Sequence, residues 1–487
     1  MKLKVLLKNL PQIDVKGSKE IEVSGIASHS KVVAPGDLFI ARRGAAYDGN
    51  RFIPEAINSG AVCIFSDVFD PSIRGVTQLI AKDLSQVEAL LAAHFWSWPS
   101  KELQMVGITG TSGKTTTSYL VHHLFHHFMI PAGLIGTVEY ITGVRHCEAP
   151  RTTPDVVTNQ RLLRDIVKSG AKACVMEVSS HALVQGRVDE IGFDTAIFTN
   201  LSHDHLDYHK TMEEYAKAKN LLFRSLAPTR SLEPVAIFNV ADPWVKKVSE
   251  GTRARCMTFG IEQEADVVAS DIRTQSTHTT FVLSYAGQSV PVTLPLIGRY
   301  NVENGLAAAA TFIARGYALE EIARGLSTAT PPPGRLERVD NPLDLKIYVD
   351  YAHKEDALRK VLQTVRASTP GRLIVVFGCG GDRDREKRPK MARAAEELAD
   401  FCFVTSDNPR SEDPLAIIRE IASGFTTFRY TLLPDREEAI HGAIDMATPD
   451  DLVLIAGKGH EKYQVFASAT VPFDDCVVVR EYCNKKK

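Results

Sequence analysis

A glycine-rich segment that ends in a lysine and a threonine carries the strongest chemical signal in this sequence. Residues 107–117 read Gly-Ile-Thr-Gly-Thr-Ser-Gly-Lys-Thr-Thr-Thr and follow a short apolar run. Such a loop turns backbone N–H groups toward a polyphosphate, at the positive end of the helix that follows. Lys114 can reach the β- and γ-phosphates, and the Thr115 hydroxyl can ligate Mg²⁺. The segment therefore predicts a nucleoside triphosphate site, with an ordinary glycine turn as the alternative.

Two later segments contain side chains that suit metal ligation beside such a loop. Glu177 ends the apolar run 173–176, at the edge where a P-loop sheet presents a carboxylate to Mg²⁺. Residues 198–209 place three histidines and two aspartates in a short segment. Its His205 can ligate a second metal ion or orient a substrate. An ordinary strand-end glutamate and a polar loop rich in turn-forming residues remain the alternatives.

Turns in the last third of the chain suit the binding of an amino acid. Three of them follow apolar runs, at residues 378–384, 405–410 and 456–461. The carboxyl ends of strands are where open α/β sheets bind ligands. Arg383 and Arg410 offer guanidinium groups to carboxylates, and Glu461 offers a counter-charge to an amine. This set favours a zwitterionic ligand with an additional carboxylate, although turn chemistry around Asn-Pro and Gly-Gly explains part of it.

Two other segments are candidates for contact with the base and ribose of a nucleotide. Asn301 and Asn304 lie on one face of a predicted helix and can either bond a base or brace a loop. Asp350 and Tyr351 end an apolar strand, where a carboxylate can accept a ribose hydroxyl and a phenol can stack on a base. Lys219 has no comparable signal, and from the residues alone we expect it at the surface.

The elements that must position these residues alternate between strand and helix, which predicts an α/β protein of three domains. Residues 1–98 form a small N-terminal α/β domain in this prediction. Residues 99–333 form a central P-loop domain with a parallel sheet and a small antiparallel addition at 265–297. Pro331-Pro-Pro-Gly334 is the clearest linker signal. Residues 334–487 then form a doubly wound, Rossmann-like domain.

Composition excludes several classes of function. The chain has 487 residues, a formal net charge of −2 and a sequence pI near 6.7, which gives no electrostatic reason to expect a nucleic-acid or membrane partner. It contains no apolar stretch of about 18 residues that could span a bilayer. The eight cysteines are scattered singly, so we expect reduced thiols and a cytoplasmic protein.

An ordered set of motifs makes the chain resemble the Mur ligases of bacterial peptidoglycan synthesis, almost from end to end. The motifs are GITGTSGKTTT, RTTPD, MEVSSHALVQGRV, FTNLSHDHLDYH, GRYNVEN, PGRLERV, DYAH, GCGGDRD, DNPR and GKGHE. The chain departs from the family pattern at Ser112, where asparagine is usual, and at Lys354-Glu355, where Thr-Pro is common.

The resemblance implies roles for particular residues. For the nucleotide it implies Gly110, Thr111, Ser112, Gly113, Lys114, Thr115, Thr116, Asn301, Arg335 and Asp350. For the reaction centre it implies Lys114, Glu177, His205 and Lys219, with Mg²⁺ held by Thr115, Glu177, His205 and a carboxylated Lys219. For a UDP-linked substrate it implies Ser28, Thr152, Thr153, Ser179, Gln185 and Arg187. For an amino acid it implies Arg383, Asp407, Asn408, Pro409, Arg410, Gly457 and Glu461.

The activity implied by the resemblance is ATP-dependent amide formation in peptidoglycan precursor synthesis. The branch with these motifs adds meso-2,6-diaminopimelate to the D-glutamate of UDP-N-acetylmuramoyl-L-alanyl-D-glutamate through an acyl phosphate. ATP, Mg²⁺ and a carboxylated Lys219 are the implied cofactors, and we expect a monomer. Arg410 favours diaminopimelate over L-lysine, because lysine lacks the second carboxylate. The alternatives are the same ligase using L-lysine, a folylpolyglutamate synthetase-like ligase, a P-loop ATPase that acts as a switch, and a non-catalytic scaffold.

Overall fold

Short apolar strands alternate with helices along nearly the whole chain in the computed structural model, which describes residues 1–11, 13–43, 48–226 and 232–487. Contacts divide the chain into two units, Met1–Phe259 and Gly260–Lys487. Within the described ranges, no helix is long and apolar enough to cross a membrane. All eight cysteines lie in these ranges, and none of them forms a disulfide bond.

The first unit contains two sheets and the helices packed on them. Its strands are β1 (Asp14–Lys16), β2 (Gly25–Ala27), β3 (Asp37–Ile40), β4 (Cys63–Ser66), β5 (Thr77–Ile80), β6 (Gln104–Thr109), β7 (Ala132–Ile135), β8 (Glu139–Thr142), β9 (Arg145–Glu148), β10 (Ala173–Glu177), β11 (Thr195–Phe198), β12 (Val235–Asn239) and β13 (Arg255–Ile261), which reaches the boundary. Its α-helices are α1 (Leu3–Leu6), α2 (Ile53–Asn58), α3 (Leu84–Phe95), α4 (Lys114–His127), α5 (Val156–Lys168), α6 (Ser180–Val184), α7 (Leu206–His209), α8 (Met212–Arg224) and α9 (Val245–Val248).

Both sheets of this unit are mainly parallel. The N-terminal sheet has the order β1-β5-β4-β3-β2, with only β1 antiparallel to its neighbour. The central sheet runs β13-β12-β11-β6-β10-β7 in parallel. Strand β6, which leads into the glycine-rich loop, thus lies between β11 and β10. The sequence predicted this parallel sheet but not the antiparallel addition of β8 and β9 to β7.

The second unit contains antiparallel hairpins followed by a parallel sheet. Its strands are β14 (Val267–Thr274), β15 (Thr279–Tyr285), β16 (Gln288–Leu294), β17 (Glu337–Arg338), β18 (Lys346–Asp350), β19 (Leu373–Phe377), β20 (Phe401–Val404), β21 (Tyr430–Leu432), β22 (Leu452–Ala456), β23 (Tyr463–Val465) and β24 (Thr470–Pro472). Its helices are α10 (Arg299–Ile313), α11 (Leu319–Ser327), α12 (Glu355–Arg366), α13 (Lys387–Leu398), α14 (Pro414–Ala422), α15 (Arg436–Met446) and α16 (Asp475–Lys485).

Helices cover both faces of the second parallel sheet, whose order is β17-β18-β22-β19-β20-β21. Alternate residues of a strand point to opposite faces, so a strand buried on both faces is apolar throughout. In β19, Leu373, Val375 and Phe377 join the core formed with α12, α13 and α14. Ile374 and Val376 join the core formed with α15 and α16. This arrangement is the predicted doubly wound domain.

The segment predicted as a linker is closely packed at its glycine. Gly334 has φ +64°, and a Cβ there would lie 2.1 Å from the backbone N of His460, so no side chain fits. Pro331–Gly334 also lies inside the second unit, and the contacts divide the chain elsewhere, after Phe259. The domain boundaries at 98 and 333 therefore stay predictions.

Candidate active site

The glycine-rich loop joins the end of β6 to the start of α4 and is anchored by the loop after β11. Thr111 N donates to Asn200 O (2.8 Å), and Ser112 N donates to the side-chain Oδ1 of Asn200 (2.9 Å). The first N–H groups of α4 have no acceptor within the helix, which makes this end suited to phosphate. Lys114 Nζ donates to the carbonyl oxygens of Gly110 and Thr111, each at 3.0 Å, and so lies over the loop. Both bonds to Asn200 come from backbone N–H groups, so they do not depend on which side chain stands at position 112.

We expect Gly110→Ala to weaken ATP binding about tenfold or more, since overpacking costs ~1–3 kcal/mol. A Cβ at Gly110 would lie 1.8 Å from Thr199 Oγ1. That hydroxyl donates to Ser112 O at 2.7 Å, so it cannot withdraw without releasing the loop. Calorimetric titration with a non-hydrolysable ATP analogue measures the effect. As a control, Gly170→Ala also places alanine at a positive φ (+87°) but adds a Cβ with no heavy atom within 4 Å, so it carries backbone strain without overpacking and should retain wild-type affinity. Wild-type affinity in Gly110→Ala would contradict this view of the loop.

Glu177, at the end of β10, is fully buried and surrounded by hydroxyl groups. Its Oε2 accepts from Thr115 Oγ1 at 3.1 Å and from Thr137 Oγ1 at 2.9 Å, and its Oε1 accepts from Thr137 N at 2.9 Å. The structure thus brings Glu177 to the loop threonine, as the strand order requires. Hydroxyl and carboxylate oxygens are the ligands that Mg²⁺ prefers, so this pair fits the ion.

Lys219 is not at the surface, and the expectation from the residues alone was wrong. It lies on the buried face of α8, one turn after Tyr215, with 1% of its surface exposed. Its Nζ donates to Gly110 O at 2.8 Å and lies 4.6 Å from the centre of the Tyr215 ring. Burial, and secondly the charge of Lys114, hold the pKa of Lys219 well below its usual value. An amine in this state is a nucleophile.

His205 precedes α7 in a left-handed conformation (φ 56°) and lies among aromatic rings. The His181 ring centre is 5.0 Å away, and that of Tyr215 is 6.2 Å away. His205 Nε2 is 3.6 Å from Asp204 Oδ2. In the part of the chain that the structure describes, no three His, Cys, Asp or Glu side chains are grouped to hold a metal ion. A Mg²⁺ site here would need oxygens from a substrate or from a modified Lys219.

Except for Ser28, the residues implied for the UDP-linked substrate belong to one hydrogen-bonded network in the first unit. Thr153 Oγ1 donates to Glu177 O at 2.8 Å and accepts from Ser179 N at 3.0 Å. Arg187 donates to Thr153 O at 3.0 Å and to Gln185 Oε1 at 2.6 and 3.0 Å. Burial and the neighbouring Arg151 lower the pKa of Arg187. A partly desolvated cation suits an anionic ligand.

Thr152 extends this network, and Ser28 contacts the nearby Asp155. Thr152 Oγ1 lies 3.1 Å from the Thr137 hydroxyl, which also bonds Glu177. Ser28 donates to Asp155 Oδ1 at 3.2 Å, and the same carboxylate oxygen caps α5 through Thr158 N. Ser28, from the N-terminal sheet, is thereby connected to the Arg-Thr-Thr-Pro-Asp segment.

In the second unit, the residues predicted to contact the base and ribose of the nucleotide form hydrogen bonds within the protein. Asn301 Nδ2 donates to Ile297 O at 2.9 Å, and its Oδ1 accepts from Asn304 at 3.0 Å. Both Asp350 carboxylate oxygens accept backbone N–H groups at 2.8 Å, and burial raises the pKa of Asp350. The Arg335 guanidinium lies 4.8 Å from the centre of the Tyr351 ring.

The Asp-Asn-Pro-Arg turn after β20 is held against two other loops. Arg410 has a left-handed backbone (φ 54°), and its N–H donates to Val465 O at 2.8 Å. Its Nη1 donates to Gly381 O at 2.8 Å. No other hydrogen bond of this guanidinium reaches a residue in the described ranges, which leaves donors for a carboxylate. Arg383 is exposed and donates to Asp382 O at 3.1 Å. Its side chain and that of Arg410 both lie beside Gly380, where an added Cβ would be 3.9 Å from Arg383 Cγ and 2.8 Å from Arg410 Nη1.

Beside Arg410, a buried set joins the turn after β20 to the turn after β22. Asn408 Nδ2 donates to Glu461 Oε2 at 2.8 Å. Lys458 Nζ donates to Asn408 Oδ1 at 3.1 Å and to Glu461 Oε2 at 3.3 Å. Gly457 has φ +116°, and a Cβ there would lie 2.7 Å from Asp407 Oδ2. Pro409 O accepts from the N–H of Glu412 at 3.1 Å.

Models of three Mur ligase domains match most of the chain. The model described as "Mur ligase family, catalytic domain" matches residues 22–96, the Mur ligase middle domain matches 108–312, and "Mur ligase, glutamate ligase domain" matches 334–459. This chain belongs to the Mur ligase family.

Relatives of this Mur ligase extend over its whole length. It is 44% identical over 487 residues to the UDP-N-acetylmuramoyl-L-alanyl-D-glutamate–2,6-diaminopimelate ligase of Chlamydia felis, with 99% of each chain covered. It is 40% identical over 491 residues to the protein of that name from Geobacillus thermodenitrificans, with 100% of each covered. A solved structure of a ligase with that name matches at a TM-score of 0.68 and 32% identity, over 95% of each chain. The predicted family, the three-domain α/β fold and the ligase class are confirmed.

Sequence reasoning missed several residues of the candidate site in this Mur ligase. Those with contacts to the predicted residues are Thr137, His181, Tyr215, Lys458 and Gln464. Lys458 stands within the Gly-Lys-Gly-His-Glu turn that the sequence singled out, so its position was a usable signal. Thr137 offered none, because it approaches Glu177 only through the neighbouring strands β7 and β10.

Proposed function

We propose that this Mur ligase uses ATP to join meso-2,6-diaminopimelate to the D-glutamyl side-chain carboxylate of UDP-N-acetylmuramoyl-L-alanyl-D-glutamate. The name shared by its full-length relatives from Chlamydia felis and Geobacillus thermodenitrificans supports this substrate pair. The observation that carries it is Arg410, whose guanidinium has one bond within the described residues, to Gly381 O, and lies in the same turn as Asn408, which bonds the Glu461 carboxylate. Diaminopimelate presents a carboxylate and an amine at its distal end, which match a guanidinium and a carboxylate. Because ATP and a UDP-linked precursor are the substrates in this proposal, we expect the reaction to occur in the cytoplasm, and a monomer stays a prediction.

The reaction needs activation because a carboxylate is a poor electrophile. The D-glutamyl carboxylate attacks the γ-phosphorus of ATP, ADP leaves, and an acyl phosphate forms. A neutral amine of diaminopimelate then attacks the acyl carbon, phosphate leaves, and the amine nitrogen releases a proton. Lys114 and the N–H groups at the start of α4 stabilise the charge on the transferred phosphoryl group.

Mg²⁺ fits this site through oxygen ligands. Thr115 and Glu177 would hold it, with His205 and a carboxylated Lys219 as further ligands. When bound, the ion neutralises charge on the phosphate oxygens. Ser28, Thr152, Thr153, Ser179, Gln185 and Arg187 would bind the UDP-linked substrate, and Asn301, Arg335 and Asp350 would bind the nucleoside part of ATP.

A turnover assay with purified protein tests the proposal. Phosphate release and product mass are measured with ATP, UDP-N-acetylmuramoyl-L-alanyl-D-glutamate, and either diaminopimelate or L-lysine. We expect phosphate release to depend on diaminopimelate and the product to gain its mass. A product formed only with lysine would favour the alternative amino acid. Phosphate release without any amino acid would favour a nucleotide-driven switch.

We expect wild-type protein in ¹³C-bicarbonate to give a carbamate ¹³C resonance that Lys219→Met lacks. Only an unprotonated amine attacks CO₂, and burial of Lys219 beside Gly110 disfavours its ammonium form. Lys217→Met is the matched control, because Lys217 lies on the same helix but is exposed and paired with Glu214 at 2.7 Å. That variant should keep the resonance. A resonance that persists in Lys219→Met would assign the carbamate to another amine.

A further inference from the structure

We propose that Lys458 is a positioning residue for the amino-acid substrate, which it does not itself touch. Its buried ammonium holds the Asn408 amide and the Glu461 carboxylate in the one arrangement that receives the substrate's amine. This inference rests on the proposed function for the identity of the substrate, although the positioning itself can be tested separately.

Three side chains form a closed ring of hydrogen bonds. Lys458 donates to Asn408 Oδ1 and to Glu461 Oε2, and Asn408 Nδ2 donates to that same Oε2. Val465 N also donates to Asn408 Oδ1, at 3.0 Å. With its oxygen held by two donors, the Asn408 amide must turn its NH₂ toward Glu461. Lys458 therefore supplies one of the two donors that orient Asn408, and of these two it is the one that also bonds Glu461.

The exposure of the two side chains shows that Glu461 can contact a ligand and that Lys458 cannot. The Lys458 side chain is 0% exposed, whereas that of Glu461 is 19% exposed. Both hydrogen bonds to Glu461 reach Oε2, and Oε1 accepts none from the residues that the structure describes. Oε1 is thus the oxygen left for an ammonium group of the substrate. Lys458 lies behind it and acts through Glu461 and Asn408.

Glu461 is the carboxylate that Lys458 contacts directly, at 3.3 Å, and Asp407 is a second carboxylate nearby. The other buried cation nearby, Arg436, already forms a two-bond pair with Asp475, at 2.7 and 2.8 Å. Burial lowers the pKa of Lys458, and the nearby Asp407 opposes that shift. A buried cation without its carboxylate, or that carboxylate without its cation, would be costly. The contact with Lys458 therefore holds the Glu461 carboxylate in place against Asn408.

The test combines kinetics with a crystal structure of Lys458→Met, which keeps the side-chain length and removes the ammonium. We expect the KM for diaminopimelate to rise about 30-fold or more, as for loss of one partner of a buried charge pair. The KM values for ATP and for the UDP-linked substrate should stay at wild type, and kcat should change less. Lys462→Met, an exposed lysine four residues further on, is the control and should match wild type.

The crystal structure gives the second readout. In Lys458→Met we expect the 2.8 Å contact between Asn408 Nδ2 and Glu461 Oε2 to be lost. If that contact persists with an unchanged diaminopimelate KM, or if all three KM values rise together, the proposal is overturned. Should Lys458→Met fail to fold, Lys458→Leu also removes both the donor and the charge and carries the same expectations. Absence of turnover in wild-type protein would defeat the proposed function, while the crystal structures would still decide the positioning role.

Discussion

Lys114→Met is expected to lower kcat by about 10² to 10³, the usual loss when one preorganised charge is removed from a transition state. The Lys114 ammonium donates to two loop carbonyls, so it is already fixed at the start of α4 before the triphosphate binds. Methionine keeps the length of the side chain and removes the charge. Without it, charge that develops on the transferred phosphoryl group loses a partner. Phosphate release under saturating substrates measures the effect.

Thermal unfolding and a second variant separate this loss from misfolding. Lys168→Met removes an exposed lysine in the last turn of α5 and should retain wild-type kcat. Lys114→Met should unfold close to the wild-type temperature, because methionine keeps the aliphatic length of the side chain and the change removes bonds to the backbone oxygens of Gly110 and Thr111 without adding a buried polar group. Turnover near the wild-type rate in Lys114→Met would remove Lys114 from the reaction centre.

Arg410→Ala is expected to lower kcat/KM for diaminopimelate by about 10² or more, since truncation of a desolvated charge partner costs ~2–5 kcal/mol. Its guanidinium has one hydrogen bond to Gly381 O and offers the remaining donors to the second carboxylate of the substrate. Lysine has no such carboxylate, so its weak use should fall much less. The ratio of the two kcat/KM values is the decisive measurement.

Two further variants define what Arg410 contributes. Arg410→Lys keeps a positive charge but cannot make a two-bond pair, so we expect an intermediate loss. Arg419→Ala removes an exposed arginine in the last turn of α14 and should leave both amino acids unaffected. Equal losses for diaminopimelate and lysine in Arg410→Ala would mean that Arg410 shapes the loop without distinguishing the ligands.

Lys114 and Arg410 lie at the ends of elements that the local sequence predicted closely. The predicted strands at 104–109, 373–377 and 452–456 coincide with β6, β19 and β22. The helix predicted at 115–128 differs from α4 by one residue at each end, and the helix predicted at 212–225 begins with α8 and ends one residue later. Apolar runs between turn-forming residues are local signals, so a strand or helix can be read from them. The antiparallel β8 and β9 were missed because β9 is exposed throughout and only Tyr140 and Ile141 of β8 are buried, so the hairpin has no continuous apolar run.

The sequence by itself determined the phosphate loop, the alternation of strands and helices, and the ends of strands at which charged turns meet. Those features depend on residues that are neighbours along the chain. Only the tertiary structure decided that Lys219 is buried against Gly110, that Thr137 bonds Glu177, and that Lys458 joins Asn408 to Glu461. Burial and partnership depend on which distant segments pack together. That packing sets the desolvation and the hydrogen bonds of each group, and it cannot be predicted from residues that are neighbours along the chain.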